Sequence, residues 1–313
     1  MKKKVMCMLL TGVLAAGVLA GCGSDEKAPV ESGVETTGDT ASAGGAAAGS
    51  FDTASLVSVY SREDGSGTRG AFIELFGIEE KDESGEKIDY TTEEAIITNS
   101  TNVMLTSVSG DTYGVGYVSL GSLDEKLVKA VKIDGAEATV ENIKSGAYVI
   151  ARPFNIVTSG DVTEVAQDFI NYIMSAEGQA VITENGYIGF DDAAAFESNG
   201  AAGKIVVGGS SSVAPVIEKL IEAYKALNTG AEVELQSSDS TTGVTGTVDG
   251  TLDIGMASRA LKDTEVASGV TATQIAMDGI AVVVNKENPV EDLSSDAVKG
   301  IFTGEIMTWD EIN

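Results

Sequence analysis

From residue 55 onward, apolar positions recur with two periods. Residues 56–60 alternate as a strand does, and a polar stretch follows, Ser61-Arg62-Glu63-Asp64-Gly65-Ser66-Gly67-Thr68. A helix is predicted over 69–76, with Phe72, Leu75 and Phe76 on one face. Strands are predicted over 114–120 and over 147–157, the second interrupted by Pro153. Residues 163–174 place Val165, Phe169, Ile170, Ile173 and Met174 at helical spacing, and a second short helix is expected over 176–184, ending near Asn185-Gly186.

A composition shift over 191–203 marks a linker or exposed loop, after which the pattern restarts. Residues 204–207 read as a strand, 208–212 (Gly-Gly-Ser-Ser-Ser) as a tight loop, and 213–227 as a helix. That helix is expected to bury Ile217, Leu220, Ile221, Tyr224 and Leu227, and it carries Pro215 in its first turn, where a missing N–H costs nothing. Strands follow over 231–236, 252–257 and 280–284. Strands alternating with helices imply parallel sheets and an α/β fold.

The 313 residues include 20 Lys or Arg, 48 Asp or Glu and no His, for a formal charge of −28. A nucleic-acid binder needs a basic footprint, which this chain lacks. Without histidine, and with two cysteines, histidine-based triads, Cys-His dyads and zinc sites are not available, and a disulfide scaffold is not expected. Aromatic residues make up 5% and glycines number 37, a balance that suits an α/β protein of about two lobes better than a β-sandwich.

Both cysteines fall in the first 22 residues. Lys2, Lys3 and Lys4 precede an apolar run over 5–20 that contains Cys7 and closes at Leu19-Ala20-Gly21-Cys22, the layout of a secretory signal. The closing tetrapeptide resembles a bacterial lipobox. That resemblance implies removal of residues 1–21, a lipid on Cys22 and anchoring on the extracytoplasmic face of the cell membrane. Residues 22–54 are rich in Gly, Ala, Ser, Thr and acidic side chains, and cannot bury enough surface to offset their ordering entropy. They read as a disordered tether, which leaves residues 55–313 for function.

Three polar loops stand out there: Ser210-Ser211-Ser212, Asp239-Ser240-Thr241-Thr242-Gly243, and 62–68. Each opens a predicted helix, whose first turn offers unsatisfied N–H groups and partial positive charge. Hydroxyl side chains there either cap the helix or donate to an anion, and glycine allows close backbone approach. One loop carries Arg62, and together the three suit an oxyanion. Residues 65–68 are not a P-loop, because the Gly-Lys-Ser/Thr lysine is missing, and no serine sits in a nucleophile elbow. The chain is therefore read as a binder rather than an enzyme, with no metal and no cofactor.

Gly208-Gly-Ser-Ser-Ser-Val-Ala-Pro215, Asp253-Ile-Gly-Met-Ala-Ser258-Arg259 and Phe302-Thr-Gly-Glu-Ile-Met-Thr-Trp309 resemble the first half of the phosphate-binding proteins of ABC importers. Ser61 to Thr68, Gly114-Val-Gly-Tyr-Val118 and Glu177-Gly-Gln179 resemble their second half. The resemblance implies a two-lobed periplasmic-binding-protein-like fold (type II) that closes on its ligand. The order is reversed, however, because the second half comes first. This means either a circular permutation, which the single copy of each half favours, or a fragment of a longer protein with tandem copies. Under permutation, 148–283 form one lobe and 55–147 with 284–313 the other. The connecting strands fall near 152–157 and 282–285, and Leu56 lies beside Asn313.

The same resemblance carries over site roles. Arg62 would pair with phosphate, Ser66 and Thr68 would donate hydroxyls, and Gly67 its backbone N–H, with Asp64 holding Arg62. In the other lobe Ser212 and the Val213 backbone match one loop, with Ser211 the alternative by one residue, and Ser240 matches the next. Arg259 stands where many members have an Asp that accepts phosphate's proton, so it is either a second cation at the ligand or half of an ion pair, with Asp239 a replacement carboxylate. The implied function is a monomeric, lipid-anchored receptor that passes inorganic phosphate to an ABC permease. The alternatives are a phosphate sensor or surface scaffold of the same fold, or a receptor for sulfate or molybdate.

Overall fold

A computed structural model describes residues 51–84 and 86–312, and all of them belong to one compact unit. The signal segment, Cys22 and most of the tether lie outside the described residues.

The chain enters through β1 (Ser58–Arg62) and α1 (Gly67–Leu75), then a small antiparallel hairpin, β2 (Glu79–Lys81) and β3 (Lys87–Asp89). Next come β4 (Ile96–Thr98), α2 (Thr101–Gly110), β5 (Gly114–Ser119), β6 (Val128–Ala130), β7 (Lys132–Ile133) and α3 (Val140–Ser145). A long strand, β8 (Ala151–Ser159), leads to α4 (Glu164–Ile173), α5 (Ala176–Glu184), β9 (Gly203–Ser210), α6 (Ala214–Leu227), β10 (Ala231–Ser238), α7 (Ser240–Val248), β11 (Ile254–Ala257) and α8 (Asp263–Ala267). A second long strand, β12 (Val270–Asn285), returns to β13 (Asp292–Leu293) and α9 (Ser295–Thr303).

Nine strands share one sheet in the order β10-β9-β11-β8-β12-β5-β1-β4, with β6 added beside β12. The expected parallel pairing holds within two sets, β10-β9-β11 and β5-β1-β4. Between them run β8 and β12, antiparallel to each other and to their outer neighbours. The sheet is therefore mixed, a correction to the expectation from the sequence.

Each set is covered on both faces. Alternation along β12 sends Val282 and Val284 into a core with Phe72, Tyr117, Ile301 and Phe302, while Ala281 and Val283 face Met104, Leu105 and Val108 of α2. At the other end, Phe154 and Ile156 join Phe169, Ile217, Leu220 and Tyr224 under α4 and α6, and Val157 packs with Val244 of α7. The result is two lobes with separate cores. β12 pairs with β8 up to Gly279 and with β5 from Ile280 on, four residues ahead of the division at 283 expected from the sequence.

Several boundaries differ for local reasons. Gly208, Gly209 and Ser210 continue β9 rather than forming a loop, because β10 pairs with them to its own end at Ser238. Helix α1 starts at Gly67, two residues early, since Ser66 caps it and accepts from Arg69 N. Leu75 and Leu227 are exposed near their helix ends, whereas Ala71 and Ile73 are buried. The first ten residues of β12 escape the periodicity because Thr271, Thr273 and Gln274 dilute the apolar signal. Pro153 is tolerated inside β8 because β11 covers only Asn155–Val157, leaving a partner strand on one side alone.

Residues 191–202 lack regular structure but are fastened down. Asn199 N and Ser198 Oγ donate to the buried Asp168 carboxylate (2.7 and 2.9 Å), which also receives Tyr224 OH (2.7 Å) and Asn228 Nδ2 (3.0 Å). Burial alone would raise the Asp168 pKa, but these donors together hold it below the usual value. Phe196 N adds a bond to Glu177 at 2.7 Å. Across the molecule, residues 53–57 lie along 307–310: Val57 N donates to Met307 O and Asp310 N to Thr53 O, both at 2.8 Å, and Leu56 bridges Thr308. Asn313, the expected neighbour of Leu56, lies outside the described residues.

Candidate functional site

Four helices begin at the seam between the lobes. α1 and α2 come from one lobe, with Ser66 and Ser100 as their side-chain caps. α6 and α7 come from the other, α7 capped by Asp239 through Thr242 N at 2.9 Å. Each N-terminus presents partial positive charge, so their convergence makes an anion-attracting corner even without a charged side chain.

The hydroxyls at these ends meet across the seam. Thr68 Oγ1 and Ser212 Oγ lie 2.8 Å apart, and Thr101 Oγ1 is 3.2 Å from Ser212 Oγ and 3.4 Å from Ser211 Oγ. Ser240 Oγ accepts from Ser258 N at 3.0 Å, and Ser210 Oγ donates to Ser258 Oγ at 2.9 Å. Gly67 faces this pair so closely that a Cβ there would overlap the Ser240 and Ser258 hydroxyls. Thr241 N and Oγ1 both reach Gly65 O, at 3.2 and 3.3 Å. The lobes are thus in direct contact, and Ser66, Thr68, Thr101, Ser211, Ser212, Ser240 and Ser258 are all buried.

Arg62 is the buried cation among them. Its Nε and Nη2 form a fork on the Glu63 carboxylate (2.8 and 2.7 Å), while Nη2 also reaches Ser211 Oγ at 3.1 Å and Nη1 reaches Thr101 Oγ1 at 3.4 Å. Its backbone N–H donates to Tyr117 OH at 3.0 Å, and that phenol also meets Ser61 Oγ at 2.9 Å. Burial raises the Tyr117 pKa against the pull of these bonds, so it stays a neutral support beneath the loop. Asp64, expected to hold Arg62, instead pairs with Arg69 at 2.8 Å, and Arg69 also grips Asp89 and the Arg62 carbonyl. The adjacent Glu63 is the better placed carboxylate because a fork needs both oxygens in the plane of the guanidinium.

Two expected ligand groups are engaged elsewhere. Val213 N donates to Ser210 O at 3.0 Å, closing the turn before α6. Arg259 forms a fork with Glu265, both bonds 2.7 Å, and adds Ala260 O and Thr241 Oγ1, so it is held as an ion pair within its own lobe. Burial would raise the Glu265 carboxyl, but bonds from Arg259 and from Lys262 N bring it below the ordinary range. Asp239 is occupied by Thr242 N and Oγ1. Sequence reasoning gave no role to Glu63, Thr101, Tyr117 or Ser258. Three of these stand inside motifs already singled out, whereas Thr101 had only a polar run, 98–102, ahead of an apolar stretch.

A second buried polar group lies where β12 changes lobe. Asp278 pairs with Arg152 at 3.3 Å and receives Ser119 Oγ at 2.9 Å and Gly121 N at 3.3 Å. Burial pushes the Asp278 carboxyl up to about 6, outweighing the pull of Arg152, and takes the Arg152 guanidinium down to about 10.

An array of buried hydroxyls, one guanidinium and four helix N-termini, drawn from both lobes, can envelop a tetrahedral oxyanion. Comparisons with known proteins agree with that architecture. The family model of the PBP superfamily domain matches residues 51–177 and 194–312. The chain is 51% identical to phosphate-binding protein PstS 2 of Streptococcus agalactiae serotype V over the full length of both, and 42% identical to PstS 2 of Streptococcus pneumoniae serotype 4 over 99% of each. It is also similar to the crystal structure of a phosphate-binding protein of a phosphate ABC transporter from S. pneumoniae TIGR4. That similarity has a TM-score of 0.65 and 44% identity, over 82% of this chain and all of the other. Matched across nearly all of the described residues and aligned end to end with such relatives, the chain belongs to the PBP superfamily and, within it, to the PstS phosphate-binding proteins.

Proposed function

We propose that the seam captures inorganic phosphate and that the chain serves as the extracytoplasmic receptor of an ABC importer, handing the anion to a membrane permease as a monomer held by lipid on Cys22. The observation that carries this reading is Arg62, buried between the lobes, reaching Ser211 of the opposite lobe at 3.1 Å amid hydroxyls from four helix starts. The ligand groups are Arg62, the Ser66, Thr68, Thr101, Ser211, Ser212 and Ser240 hydroxyls, and the Gly67 N–H. Arg259 and Val213 support the walls instead. About five charge-assisted bonds at roughly 1.5–3 kcal/mol each leave room for closure costs and still reach micromolar binding.

Titration calorimetry tests this directly. Phosphate should bind the wild-type chain, and Arg62→Ala should weaken it by at least about 2 kcal/mol, as expected for truncating a buried charged partner. An effect within error would remove Arg62 from the site.

The reversed order of the two halves is read as a circular permutation. The support is spatial: residues 53–57 lie along 307–310, so the end of the half resembling the family's beginning adjoins the start of the half resembling its continuation. Residues 191–202 would then be the joint between the family's old chain ends.

A further inference from the structure

The N-terminus of α7 is capped from both lobes. Within its own lobe, Asp239 accepts from Thr242 N at 2.9 Å. From the opposite lobe comes Gly65 O, in the loop ahead of α1, which accepts from Thr241 N at 3.2 Å and from Thr241 Oγ1 at 3.3 Å. Thr241 is the second residue of α7, so its N–H is one of the first-turn donors that lack an intrahelical partner. The approach requires glycine at position 65, because a Cβ there would overlap Asp239 Oδ1.

Arg259 stands behind this contact. It is buried at the seam, and its Cδ lies 3.6 Å from where a Cβ on Gly70 of α1 would be. Its Nη2 donates to Thr241 Oγ1 at 3.2 Å and to Glu265 Oε1 at 2.7 Å. Its Nη1 donates to Glu265 Oε2 at 2.7 Å and to Ala260 O at 3.0 Å. Both hydrogens on each Nη are thus engaged within its own lobe. Thr241 Oγ1 accepts from Arg259, so its single proton is left to point across the seam at Gly65 O.

We propose that Arg259 is a positioning residue: through Thr241 it sets a latch on the Gly65 carbonyl that holds the lobes together and slows phosphate release. This rests on the phosphate reading of the seam and adds a kinetic role to it. Glu265, Arg259 and Thr241 all belong to one lobe, so their arrangement survives opening, and only the bonds to Gly65 break. A hydroxyl oriented beforehand loses little freedom when the lobes meet, and its bond therefore favours the closed form.

The test is rapid-mixing measurement of inorganic phosphate association and release on the full chain. Thr241→Val removes the hydroxyl but keeps the backbone N–H and the Arg259–Glu265 fork, so the latch stays testable even where an Arg259 variant folds poorly. It should speed release about fivefold, the weight of one neutral hydrogen bond, and leave association within about twofold. Thr241→Ser, which restores the hydroxyl, should release within about twofold of the wild type. Arg259→Lys keeps the charge and loses the fork. It should speed release about threefold in the wild-type background and by less than about 1.5-fold where residue 241 already lacks its hydroxyl. Unchanged release in Thr241→Val overturns the latch. Equal acceleration by Arg259→Lys in both backgrounds overturns the positioning role. Absence of phosphate binding by the wild type overturns the phosphate reading itself.

Discussion

Arg62 owes its usefulness to its neighbour. An arginine at a seam lined with hydroxyls has many acceptors to choose from, and the Glu63 fork fixes the plane in which its remaining donors point. Glu63 also cancels charge, so its removal has two opposed effects: a more positive guanidinium and a less ordered one. Orientation should win, because the anion is gripped at contact distance by groups that must all be in place together. Glu63→Gln, which keeps one acceptor, is expected to weaken phosphate about tenfold, and Asp64→Asn to change it by less than about twofold. The opposite order in calorimetry would return the holding role to Asp64. At this scale the sequence was informative about residue types and less so about pairings. Ser66, Thr68, Ser212 and Ser240 were legible as hydroxyls at helix starts, which either cap a helix or donate to an anion, and all four are buried. Whether Glu63 or Asp64 faces Arg62 depends on one residue's worth of backbone rotation, and no spacing rule carries that.

Among elements, helices with a strong apolar face were legible and strands at the centre of the sheet only partly so. α4 and α5 fall within a residue of their expected bounds, because Val165, Phe169 and Ile173 repeat cleanly and Ser175 caps the second. β12 is legible at its apolar end alone, though its first ten residues form the other half of the β8–β12 ribbon. That ribbon carries the Arg152–Asp278 pair at the point where both strands change lobe. Asp278 has a folded pKa near 6, above its ordinary value of 3.8, so its contribution to stability is present below about pH 4 and is lost as pH rises through 6. Asp89, Asp168 and Glu265 are shifted the other way and lose stability on acidification, so only a difference between variants isolates Asp278. Asp278→Asn leaves Arg152 charged at either pH. Urea unfolding should therefore show the wild type gaining stability relative to Asp278→Asn between pH 7 and pH 5. A constant difference would mean that Asp278 titrates as an ordinary carboxylate.

For the whole molecule, the motifs suggest halves in the opposite order to the family pattern expected from the sequence, and the PstS 2 relatives that align with this chain end to end share its order. What the motifs do not carry is how the two candidate joints compare physically. One is closed in this chain: residues 191–202, held by Asp168 and Glu177. The other lies where Thr53 and Leu56 run against Asp310 and Thr308. There the strands are antiparallel, and joining Ile312 to Phe51 would leave a loop of about four residues, an ordinary hairpin length. Phe51 already packs on Tyr113 and Trp309, with ring centroids 5.0 and 5.9 Å apart, so the joined ends would be anchored by aromatic contacts in place. A chain running from Gly203 to Ile312, then directly from Phe51 to Gly189, keeps both cores, all four helix starts and the β8–β12 ribbon. It gives up the Asn199 and Ser198 bonds to Asp168, whose carboxylate retains Tyr224 and Asn228, and the Phe196 ring against Tyr172 and Tyr224, so residues 190–202 are supplied as a separate peptide in the comparison. If the two orders are permutations of one fold, this rearranged chain should fold cooperatively and bind phosphate within a few-fold of the parent, with a Tm lower by only a few degrees, as for a loss of about 1 kcal/mol. Failure to fold, with a control cut at 191–202 in the parent order remaining folded and phosphate-binding as a two-piece complex, would place the fault in the 312–51 junction and defeat the permutation.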